Sequence, residues 1–174
     1  MRRTVIAALA AALYLPLSAQ AQDREAKIKN AMSAAPASIA EHATIMDWDN
    51  TELRAGTNDW TCFPAMPDNP ADDPMCADTQ GMKVVDAWLN KRTPEITELG
   101  FIYHLQGWAA ASMTDPLATE PAPGEQWTVG HSLLVILTPH LDALESLPTD
   151  PTSGGPWVMY KGTPYVHIMV PVSN

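Results

Sequence analysis

The chain has 174 residues, 46% of them hydrophobic, with twenty acidic against ten basic side chains and a formal charge of −10. Such a field repels polyanions, which excludes nucleic acid and an anionic lipid surface as partners. The apolar share is that of a folded globular chain, neither disordered nor membrane-embedded.

Arg2 and Arg3, an apolar run over residues 5–15 and the small-x-small sequence Ala19-Gln20-Ala21 have the layout of a secretory signal peptide spanning residues 1–21. The run is shorter than the ~20 residues a bilayer span needs, so no membrane anchor is expected once the signal is removed. Removing 21 of the 174 residues leaves 153, enough for one domain, residues 22–174, with a hydrophobic core. That domain keeps all twenty acids and eight of the ten basic residues. The expected location is periplasmic or secreted, in a bacterium.

Along the mature chain, residues 23–32 space Ala26, Ile28, Ala31 and Met32 as one face of a short helix, ended by Pro36, and a helical turn follows through Ile39. Residues 43–48 are rich in strand formers, Asp49-Asn50-Thr51 is a turn signal, and residues 52–55 return as the second arm of a hairpin. The stretch 60–76 is too proline-rich for a helix and too polar for a strand, and it reads as a loop with a cysteine near each end. In an oxidising compartment Cys62 and Cys76, the only two cysteines, are expected to pair. Closing a loop of about 15 residues is worth ~3 kcal/mol in the chain-entropy account.

The clearest helix follows Gly81, with Val84, Val85, Trp88 and Leu89 on its core face and Pro94 beyond its end. Residues 99–105 alternate as a strand, Phe101 and Tyr103 on one face and Ile102 and His104 on the other. Residues 106–123 read as a long ordered loop. The most apolar run, 131–137, is the expected central strand, followed by a short helical segment carrying Leu141, Leu144 and Leu147. Residues 157–160 and 165–172 form a closing hairpin in which Tyr165, His167 and Met169 share a face. Strands and helices do not alternate regularly enough for a parallel sheet. The expected fold is a single α+β domain: a mainly antiparallel sheet, helices packed on one face, and one disulfide-closed loop.

The segments Trp60-Thr-Cys62, Asp73-Pro-Met-Cys76, Asp115-Pro-Leu-Ala-Thr119, Gly155-Pro-Trp-Val-Met-Tyr160 and Gly162-Thr-Pro-Tyr-Val-His-Ile-Met-Val-Pro171 resemble an uncharacterised family of small exported bacterial proteins that end in a GTPYxHIMVP-like segment. The likeness spans nearly the whole mature chain and implies export, while lending no activity or site residue.

For chemistry near neutral pH the histidines come first. His104, His131 and His167 lie on or beside expected strands, and Met169 shares a face with His167. Nitrogen with thioether is a copper-binding combination, so His131, His167, Met169 and His104 form a candidate metal set. Packed core or rim is the commoner use of a strand histidine and methionine, and the pattern requires no cofactor. An acid/base pair of Asp115 with His131 or His167 is the candidate catalytic arrangement. No G-x-S-x-G elbow or H-E-x-x-H zinc motif is present. Asp68, Asp72, Asp73 and Asp78 lack the spacing of a calcium loop and read as solvated loop acids. Of six tryptophans, Trp60, Trp108 and Trp127 stand at loop edges where an aromatic can stack on a flat ligand. Two expectations follow: an exported domain that binds a small-molecule ligand or a metal as an accessory protein, or a small enzyme with a His/Asp acid-base pair. The pattern sets no oligomeric state.

Overall fold

The computed structural model describes residues 16–172. The expected signal segment, residues 1–21, lies mostly outside the described residues. Helix α1 (Pro16–Met32) is followed by the turn α2 (Ala37–Ala40), then by β1 (Thr44–Met46), β2 (Glu52–Arg54), β3 (Thr61–Phe63) and β4 (Met75–Ala77). Helix α3 (Thr79–Leu89) leads to β5 (Gly100–His104), β6 (Trp108–Ala110), β7 (Thr128–Gly130) and β8 (Leu133–Leu137). After two single-turn 3-10 segments, β9 (Trp157–Met159) and β10 (His167–Pro171) close the chain. Eight strands make one sheet in the order β2-β1-β3-β4-β5-β8-β10-β9, and β6 and β7 pair separately. Every pairing is antiparallel except β1 with β3. The fold is therefore α+β with a mainly antiparallel sheet, and β8 lies between β5 and β10 as the most apolar run requires.

The register assigns each side chain a face. Cys62 stands opposite Cys76, and Cys76 opposite Tyr103. These residues face α1, packing with Ala31, Ala34, Ile45 and Leu53. Phe63 opposite Met75, Ala77 opposite Ile102, and Ile102 level with Val135 and Met169 occupy the other face. There they pack with Val85 of α3. The helices are thus divided between the two faces rather than gathered on one, because the β3–β4 hairpin exposes apolar side chains to both sides.

Helix α3 starts earlier than its apolar pattern suggests. Asp78 is its N-cap, its carboxylate accepting from Gly81 N at 2.7 Å. Gly81 is buried inside the first turn, where a Cβ would lie 2.8 Å from the Ile102 side chain and 2.9 Å from Ala77. Glycine lets the helix approach the sheet that closely. Val85 and Ala87 are buried, whereas Leu89, expected on the core face, is 42% exposed. Burying a side chain such as Val85 is worth about 1.5–3 kcal/mol.

Cys62 and Cys76 form the disulfide, and they do so as directly opposed residues of β3 and β4. The stretch read as one loop therefore begins and ends in strand, with residues 64–74 as its tip. Asn30 of α1 fixes that tip from both ends: its carbonyl accepts from Ala65 N at 2.8 Å, and its amide donates to Asp72 at 2.7 Å. Residues 106–123, read as a loop, contain β6, whose Trp108 packs over Gly130 of β7 so closely that a Cβ there would lie 2.1 Å from the indole nitrogen.

Candidate functional site: an aromatic cavity with a carboxylate–imidazole pair

On the α3 face of the sheet, Ile102 and His104 of β5, Leu133, Val135 and Leu137 of β8, and His167 and Met169 of β10 point to the same side by register. Val84, Val85 and Trp88 of α3, the β6 alanines and the tip of the disulfide loop stand around them. The enclosed space is a cavity of about 490 Å³, within the range of small-molecule sites. A smaller space of about 160 Å³ shares Asp73, His104 and His167 with it and is otherwise walled by apolar residues including Val135, Met159 and Met169.

Polar groups in the walls are few, and the two histidines among them are held by hydrogen bonds. His104 Nδ1 lies 2.5 Å from an oxygen of Asp73, with the two side chains 15% and 12% exposed. The second carboxylate oxygen of Asp73 accepts from Ala109 N and from the Asn69 amide, each at 3.2 Å. A carboxylate accepts, so the imidazole presents Nδ1–H to Asp73 and turns Nε2 away from it. His167 Nδ1 lies 2.8 Å from the Tyr165 carbonyl. A carbonyl can only accept, which places the proton on Nδ1 and leaves the lone pair on Nε2. Burial lowers the His167 pKa to about 4, with the nearby charge of His104 acting in the same direction, so the ring is neutral at pH 7.

Aromatic rings make much of the wall. Trp48 stacks on Phe63 with centroids 4.6 Å apart and meets Trp88 edge to face at 6.4 Å. Their indole N–H groups donate to the Pro64 and Pro116 carbonyls at 2.7 and 3.0 Å, fixing both rings. Tyr160 meets His167 edge to face at 5.5 Å, and burial pushes its phenol up to about 12. Its backbone sits at φ 55, a left-handed conformation uncommon for a bulky residue. The turn holds it there through hydrogen bonds from the Thr163 amide and hydroxyl to the Tyr160 carbonyl.

Of the sequence candidates, His104 and His167 line the large cavity, and with Met169 they line the smaller one. His131 is exposed and lines neither, because β8 begins two residues later, at Leu133. Asp115 is exposed too, its carboxylate accepting from Leu117 N in a local turn. The carboxylate that meets a histidine is Asp73, which the sequence reading left among solvated loop acids. Among the tryptophans, Trp127 lines the large cavity and Trp108 the smaller. Trp60 packs on Tyr103 at the opposite face, while Trp48 and Trp88 are the cavity-lining rings not expected from the sequence. Among the described residues no three His, Cys, Asp or Glu side chains converge as a metal ion requires. Nor is any described helix long and apolar enough to cross a membrane.

No family model matches the chain, and neither the curated proteins nor the solved structures contain a match to it.

Proposed function

We propose that the protein is an exported binding domain, periplasmic or secreted, for a small organic molecule that is largely apolar and carries one polar end. The observation that carries this reading is the cavity of about 490 Å³, walled by aromatic and aliphatic side chains and containing the Asp73–His104 pair. An apolar enclosure with a few convergent polar groups is the usual form of a small-molecule site. A metal role is less well supported, since the two imidazoles are not joined by a third titratable donor among the described residues.

Titration of the full chain with the neutral dye N-phenyl-1-naphthylamine tests the reading. Saturable one-to-one binding with a blue-shifted emission is expected, and Ala110→Phe and Val84→Phe, which fill the space, abolish it while keeping the circular dichroism of the parent. Absent binding, or binding that both filling variants leave intact, overturns the proposal.

A second reading has its own support in the 2.5 Å contact between Asp73 and His104. A carboxylate that orients an imidazole and stabilises its protonated form is the arrangement of a general base. The described cavity walls contain no serine or cysteine, so the chemistry would be proton transfer to or from a bound substrate. Turnover of a bound ligand that His104→Gln removes without loss of affinity would favour this enzyme over a binding domain.

A further inference from the structure

We propose that the cavity selects an organic cation, a tertiary or quaternary ammonium attached to an apolar body. This inference rests on the cavity being a ligand site and adds the charge of its occupant. Three independent features of the walls support it.

The first is the sign of the charged side chains. Asp73 and Asp68 line the cavity, Asp73 inside and Asp68 exposed at its rim, while no lysine or arginine is among the lining residues. The chain as a whole carries −10, so the long-range field draws a cation toward the opening and repels an anion.

The second is the aromatic content. Trp48, Trp88, Trp127, Tyr160 and Tyr165 all face the space. Trp48 and Trp88 stand at 72° to one another, which gives two walls of a corner rather than a flat platform. Rings so arranged attract a diffuse positive charge through their quadrupoles, most strongly where water is displaced.

The third is the use already made of hydrogen-bond donors. The indole N–H groups of Trp48 and Trp88, the Tyr165 hydroxyl and the Asn69 amide all donate to protein oxygens. Both imidazole Nδ1–H groups are likewise taken. What the walls offer a ligand is π-faces, the His167 Nε2 lone pair and carboxylate oxygen, with the Trp127 N–H and the Tyr160 and Thr119 hydroxyls as neutral donors, a set that holds no fixed cationic side chain for an anion. The apolar body fits the smaller space bordered by Val135, Met159 and Met169.

The test is competition against bound N-phenyl-1-naphthylamine by three probes of similar shape: phenyltrimethylammonium, tert-butylbenzene and benzoate. The cation is expected to displace the dye at a concentration about tenfold below that of the neutral isostere, in line with a desolvated cation–π site. Benzoate is expected to displace none. Asp73→Asn should cut the cation-over-neutral ratio at least threefold, and Trp88→Leu provides a second variant that removes a ring without touching the carboxylate. If the dye binds but the neutral probe competes as well as the cation, the charge assignment is overturned and the cavity reading stands. If the dye itself does not bind, both are overturned.

Discussion

His167 is a neutral, half-buried imidazole in the cavity wall, and its protonation state links the site to stability. Its pKa falls from 6.5 to about 4 on folding, because burial disfavours the charged ring. Below pH 6.5 the unfolded chain therefore takes up a proton that the native ring refuses, and stability declines as the pH falls toward 4. Over that window the lost contribution reaches roughly 3 kcal/mol. The exposed Asp49 and Asp150, whose carboxyls are held below their usual range by hydrogen bonds from Thr51 and Thr152, lose stability in the same direction at lower pH. Comparing His167→Gln with the parent isolates the imidazole. Urea unfolding at pH 7.5 and 4.5 should show the parent losing about 2–3 kcal/mol more than the variant between the two conditions; equal losses would mean that the ring is freely protonated in the native state. Strand alternation groups His104 with Ile102 and His167 with Met169, but that both groups lie on one side of the sheet is set by the register through β8. Asp73 was not legible in the sequence, since its contact with His104 crosses 31 positions and nothing in a proline-rich acidic loop marks one aspartate as inward-facing.

The β3–β4 hairpin shows what a short element conceals. Each arm has three residues, fewer than a strand needs to display its alternation, and Met75-Cys76-Ala77 is buried on both faces, so no polar partner interrupts the run. The same brevity hid β6 inside a stretch that composition marked as loop. The cysteine pair was readable because its signal is chemical rather than periodic. Its position ties structure to site: the tip it closes carries Met66, Pro67, Asn69 and Asp73 into the cavity wall. Reduction, or the double variant Cys62→Ala with Cys76→Ala, is expected to cost ~3 kcal/mol of stability, measured by chemical denaturation. It should also weaken binding of the neutral dye, because Asp73 and Asn69 lose their fixed placement. Unchanged affinity in the reduced protein would show that Asn30, which grips the tip from α1, is sufficient by itself.

Taken as a whole, the molecule divides its work between the two faces of one sheet. Against α1 the packing is small and closed, with Ala31, Ala34, Ala43, Ile45 and both cysteines fully buried. Against α3 it is large and incomplete, since Trp48, Trp88 and Tyr160 surround space instead of filling it. The sequence foretold a mainly antiparallel sheet with the 131–137 run inside it, but not this division, because which face a helix covers depends on the path of its connections and not on its periodicity. A consequence follows for ligand linkage. A ligand at 100 times its dissociation constant adds about 2.7 kcal/mol against any opening that destroys the cavity, and nothing against openings that leave it intact. Amide hydrogen exchange with saturating N-phenyl-1-naphthylamine should therefore slow at β5, β8, β10 and α3, whose side chains form the walls. Amides of β2 and the N-terminal half of α1, which open without disturbing those walls, should exchange as before. Equal slowing over both sets would mean that the two faces unfold only together, and slowing confined to β2 and α1 would place the dye on the other side of the sheet.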